Sequence, residues 1–102
     1  MLIRSQDKRM IVNFDNICTV SAFPEKDSED IYVEDGTGSL MVGRYSTKEK
    51  AIKVLDMIQE AYVNGHIDYQ MPEDSEVEGI SITGLGAGAS GIVYLTYFLI
   101  TL

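Results

Sequence analysis

Apolar positions along this chain follow two spacings. Up to Tyr45 they come in short runs or at every second residue, and from Ala51 to Tyr62 they recur every third or fourth. Period two sends alternate side chains to opposite faces of a strand, whereas the longer spacing gathers them on one side of a helix. Leu2-Ile3-Arg4 is a short apolar start closed by the polar turn Ser5 to Lys8. Met10 to Phe14 is apolar and β-branched, and Asp15-Asn16 turns the chain. Ile17 to Phe23 alternates, with Ile17, Thr19, Ser21 and Phe23 on one face and Cys18, Val20 and Ala22 on the other. After an acidic loop from Pro24 to Asp30, Ile31-Tyr32-Val33 is a strand and Asp35-Gly36-Thr37-Gly38 a hairpin turn. Ser39 to Tyr45 returns as a strand, with Leu40, Val42 and Arg44 opposite Met41, Gly43 and Tyr45.

Ser46-Thr47-Lys48-Glu49 reads as a capping box in which the Ser46 hydroxyl accepts from the Glu49 amide. Ala51, Ile52, Val54, Leu55, Ile58, Ala61 and Tyr62 then form the apolar stripe of an amphipathic helix, predicted over 47–63. Asn64-Gly65 ends it with a residue that tolerates positive φ. Ile67 to Met71 is a short strand stopped by Pro72, and the acid-rich Pro72 to Glu78 reads as a solvated loop. The helix stripe and the apolar side of the strands must cover each other. The predicted fold is therefore α+β: an antiparallel meander sheet of four to five strands packed on one amphipathic helix.

Charge divides the chain more sharply than hydropathy does. All 24 charged residues precede Gly79, so the predicted domain is 1–78 and residues 79–102 form an uncharged tail, Gly-rich and then apolar. The 102 residues carry a net charge of −8, which argues against direct nucleic-acid binding because each phosphate contact wants a Lys or Arg. Arg4, Lys8 and Arg9 form a basic cluster, and Glu25, Asp27, Glu29 and Asp30 an acidic one. Both are candidate partner-binding residues.

Catalytic equipment is sparse. The single cysteine, Cys18, excludes an intrachain disulfide, fits a reducing cytosol, and reads as a small buried hydrophobe in its strand. The single histidine, His66, lies 48 positions away, and the pair makes no protease or zinc signature. Residues 1–10 contain no signal-peptide core, so a cytoplasmic location is expected. The five methionines read as gap-filling core residues. Gly86 to Gly91 matches G-x-G-x-x-G, but a dinucleotide site also needs a following strand and an acid about twenty residues on, and Leu102 comes first. No cofactor, metal or catalytic residue is expected.

The tail admits three arrangements. Ile92, Val93, Leu95, Phe98 and Leu99 make its second half strongly apolar, suited to burial on the body or on a second copy, or to a membrane. No Lys or Arg flanks the segment to orient it in a bilayer, and the third arrangement is a disordered extension.

Four stretches of the body carry a resemblance. They are Ile3 to Lys8, Val12 to Ile17, the Gly43-Arg44-Tyr45-Ser46-Thr47-Lys48-Glu49-Lys50-Ala51 entry and the Val54 to Gln59 helix core. Over about residues 1–78 the chain resembles a group of small proteins from Gram-positive bacteria, their phages and mobile elements. In that group a stretch like Met71-Pro72-Glu73-Asp74 lies near the C-terminus, so the tail departs from the pattern. The resemblance implies no activity, cofactor or catalytic residue. It favours a non-enzymatic interaction protein of a phage or mobile element that binds and inhibits or sequesters a host component. The partner is a protein or a small signalling ligand, and homo-oligomers are compatible with it. The alternative is a membrane-associated accessory protein held by its tail.

Overall fold

In a computed structural model, which describes residues 1–77, six strands, one α-helix and two short 3-10 turns follow one another. The strands are β1 (Leu2–Arg4), β2 (Ile11–Asn13), β3 (Thr19–Pro24), β4 (Glu29–Glu34), β5 (Ser39–Tyr45) and β6 (Asp68–Gln70), with α1 (Lys48–Val63) between the last two. The architecture is α+β, with a meander sheet packed on one helix. The predicted single sheet of four to five strands is replaced by two sheets of three, ordered β2-β1-β6 and β3-β4-β5. The first ends its antiparallel pairing at Asn13, where the Phe14–Asn16 turn diverts the chain before β3 can join. β6 instead lies parallel to β1, with Ile3 opposite Tyr69. The second sheet is the antiparallel meander, and α1 packs across it.

The inward face of β3-β4-β5 carries Val20, Ala22, Ile31 and Val33, as period two requires. In β5 the alternation breaks. Ile31 is opposite Gly43 while Tyr32 is opposite Met41, which leaves Val42 as an extra bulged residue. Val42 therefore enters the core while Arg44 stays outside, although the sequence places them on one face. Beyond the bulge, Gly43 and Tyr45 are buried. A Cβ on Gly43 would stand 2.9 Å from Tyr45 Cε2 and 3.0 Å from Met71 Cε. The ring is not free to retreat, because its hydroxyl donates to the Pro72 carbonyl at 2.8 Å. Gly43→Ala is expected to cost about 1–3 kcal/mol through overpacking, measured by urea unfolding; a wild-type midpoint would show that the core yields there.

The helix begins one residue later than the predicted cap implies. Thr47, not Ser46, accepts from the Lys50 amide at 3.1 Å. Ser46 is occupied elsewhere: its amide and hydroxyl both donate to Asp74, at 2.8 and 3.1 Å. Lys50 Nζ adds a 3.0 Å bond to the Asp74 carbonyl oxygen. The predicted solvated loop after Pro72 is thus docked on the start of α1, and Val77 is buried in the core. At the other end Gly65 takes φ +76° and its amide donates to the Tyr62 carbonyl, as the Asn-Gly signal implies.

Cys18 is exposed just before β3, which corrects its reading as a buried strand residue. Among the methionines, Met71 is fully buried and Met1 and Met10 pack on the core, whereas Met41 is exposed on the outer face of β5. The calls on Ile92, Val93, Leu95, Phe98 and Leu99 lie outside the described residues.

Candidate interaction surface

The outward face of β3-β4-β5 is set by the pairing register. Its rows are Thr19, Glu34 and Ser39; then Ser21, Tyr32 and Met41; then Phe23, Asp30 and Arg44. Nothing in the sequence pattern distinguishes this face from any other polar side, because its apolar members come from three separate strands. Once paired, Phe23 is 54% exposed, Met41 is 38% exposed, and Tyr32 lies half-buried. The Phe23 and Tyr32 rings meet edge-to-face at a centroid distance of 6.4 Å, a favoured aromatic geometry.

Charged groups frame this patch. Tyr32 donates its hydroxyl to Glu25 Oε2 at 3.1 Å, and the neighbouring carboxylate raises the phenol pKa. Thr19 donates to Glu34 Oε1 at 3.1 Å. At the far end Arg44 lies over Asp30 in a two-pronged pair, Nε to Oδ1 at 3.1 Å and Nη2 to Oδ2 at 3.0 Å. Ser28 adds a third bond to Asp30 Oδ1 at 2.8 Å. The Arg44 hydrogen bonds hold the Asp30 carboxyl below the usual carboxylate range against the opposing effect of burial. Asp30 is wholly buried, whereas the Arg44 side chain is 61% exposed. The guanidinium is thus fixed in position while one side remains open to solvent.

The predicted site residues fall into three settings. Glu25 and Asp27 are exposed in the short β3–β4 turn, and Glu29 is half-buried at the start of β4. Asp30 differs from the sequence expectation, since the acidic loop ends earlier and this carboxylate lies covered beneath Arg44 on the outward face, bonded to Arg44 and Ser28. Arg4, Lys8 and Arg9 are exposed around the β1–β2 turn, where Arg4 Nε donates to the Lys8 carbonyl at 3.2 Å and Lys8 takes φ +63°. Gln6 of the same turn binds the Arg44 backbone on both sides, accepting from its amide at 2.8 Å and donating to its carbonyl at 3.0 Å. The basic turn and the aromatic face are therefore coupled through Arg44, a residue the sequence reading did not single out as a contact.

His66 is exposed in the turn after α1. An open cleft of about 350 Å³ between β2 and the β4–β5 hairpin has an apolar floor of Val12, Ile17, Val33 and Leu40. Its carboxylate, Asp35, is engaged by the amide and hydroxyl of Thr37 at 2.9 and 2.7 Å. Among the described residues no group of three or more His, Cys, Asp or Glu is placed to hold a metal ion, and no helix is long and apolar enough to cross a membrane. Comparison with protein-family models, with curated proteins and with solved structures finds no match.

Proposed function

We propose that this is a non-enzymatic interaction protein of the phage or mobile-element kind, which docks a host protein on the outer face of β3-β4-β5. The observation that carries this reading is the exposed Phe23–Tyr32–Met41 patch framed by Glu25, Glu34 and the fixed Arg44. An aromatic centre with a charged rim is the anatomy of protein-binding surfaces, where a few buried anchors supply most of the affinity. The net charge of −8 and the two rim glutamates favour a partner segment with an apolar side chain flanked by Lys or Arg. Such a surface suits inhibition or sequestration by occupancy.

The test is capture from a Gram-positive host lysate by the full chain and two variants. Wild type and the helix-face control Ile52→Ser are expected to retain one stoichiometric basic partner. Phe23→Ser/Met41→Ser should lose it by at least about tenfold, as expected for removal of two central anchors. Absence of such a partner, or retention that ignores the face variant, would count against the proposal. A second reading, membrane attachment, rests on the absence of charge from residues 79–102. Recovery of the full chain without detergent would exclude it.

A further inference from the structure

The two edges of the meander sheet are treated differently. The β5 edge is sealed: the Gln6 amide donates to the Val42 carbonyl at 2.8 Å, and the Gln6 side chain takes both backbone groups of Arg44. The Val42 bulge further breaks its regularity. β3 has no such protection among the described residues. Among the described residues it pairs only with β4, through six consecutive registered pairs, and Thr19-Val20-Ser21-Ala22-Phe23-Pro24 contains no charge. Edge strands are ordinarily blunted by lysine, an inward charge, a bulge or a cover. Among the described residues the only such device on β3 is Pro24, at the last position.

The neutral strip continues beside the strand. A cleft of about 330 Å³ between β3 and α1 is lined by Phe14, Val20, Leu55, Ile58, Gln59 and Tyr62, all uncharged. A basic partner gains nothing from such a strip. A second copy of this chain, with its net charge of −8, is repelled from acidic surfaces and can approach closely along this neutral one. A strand edge is also self-complementary under a two-fold axis.

We propose that two copies associate through antiparallel pairing of their β3 edges, centred on Ser21. That register sets Ser21 beside its equivalent, Val20 beside the second copy's Ala22 on the inner face, and Thr19 beside its Phe23 on the outer face. β-branched and aromatic cross-strand neighbours of this kind stabilise sheets. The product is one six-stranded sheet in which the two Phe23–Tyr32–Met41 patches lie on the same side. Six residues of strand span about 20 Å, so the contact belongs to the small end of specific interfaces, where association is weak and transient.

Sedimentation equilibrium of the full chain over about 10–100 μM is expected to show a monomer–dimer equilibrium. Ser21→Lys and, separately, Thr19→Lys should abolish the dimer, since both positions are exposed and each places a charge on the edge. Their unfolding midpoints should remain those of wild type. In a Cys18→Ser background, Ser21→Cys should form a disulfide-linked dimer on mild oxidation, whereas Ser39→Cys, on β5, should not. A monomer throughout the range, or a dimer that survives both lysine substitutions, overturns the proposal.

Discussion

Arg44→Ala is expected to destabilise the domain by about 1–2 kcal/mol, because it removes the two charge-assisted hydrogen bonds that a largely exposed guanidinium gives the Asp30 carboxylate. Only the Ser28 hydroxyl would remain as a side-chain donor to that group. Domains of this size have about 5–15 kcal/mol in total, so urea unfolding should show a lower midpoint. Asp30→Asn should cost less, since an exposed Arg44 can return to water while the amide remains neutral. The pH dependence distinguishes this electrostatic origin from lost packing. In wild type the folded-state pKa of Asp30 is depressed. Its contribution is full above the unfolded value near 3.9 and is lost as pH falls through the folded value. In Arg44→Ala the largest cause of that depression is gone while the Ser28 bond remains, so the folded-state pKa moves up toward its ordinary value and the variant should lose less stability than wild type as pH falls below the unfolded value. Parallel pH profiles for the two proteins would refute this account.

Tyr45→Ala should cost more, about 3–5 kcal/mol for deleting a fully buried aromatic ring. The ring is wholly excluded from solvent and fills the space left by Gly43. Tyr45→Phe separates ring from hydroxyl and should cost about 0.5–1.5 kcal/mol. The low end is expected, because the Pro72 carbonyl retains a second donor in Gln6 Nε2 at 3.2 Å. Burial pushes the Tyr45 phenol well above its ordinary pKa, with the acids at Glu73, Asp74 and Glu76 adding to the shift. The hydroxyl's stabilising contribution is present below about pH 10 and is lost as pH rises through the folded-state value. Thermal unfolding between pH 8 and 11 should therefore fall more steeply for wild type than for Tyr45→Phe. Equal slopes would show that the phenol is not the alkaline trigger.

The aromatic face and the open β3 edge adjoin, so variants must be read together. Phe23 belongs to both, as a face anchor and as a cross-strand neighbour in the dimer register. Met41 belongs to the face alone, and Thr19 and Ser21 serve as edge positions. Loss of partner capture with Met41→Ser and an intact dimer would separate the two surfaces.

The chain's periodicity by itself determined which segments extend and which coil, and over β3 and most of α1 which side turns inward; in β5 the bulge overrode it, and Ile52 and Tyr62 of the predicted helix stripe are exposed. Val20 and Ala22 face the core and Ala51, Val54 and Ile58 lie under the helix because alternation and helical spacing are local properties of the backbone. The Asn64-Gly65 stop was legible for the same reason, since positive φ at Gly65 is a single-residue preference. Strand partners were not legible. The parallel docking of β6 on β1, the Val42 bulge and the Asp74 bonds to Ser46 join residues far apart in sequence, and local spacing carries no information about such contacts. The same holds for the candidate surface. Phe23, Tyr32 and Met41 become one patch, and Asp30 becomes a buried anchor for Arg44, only when three strands are set in register.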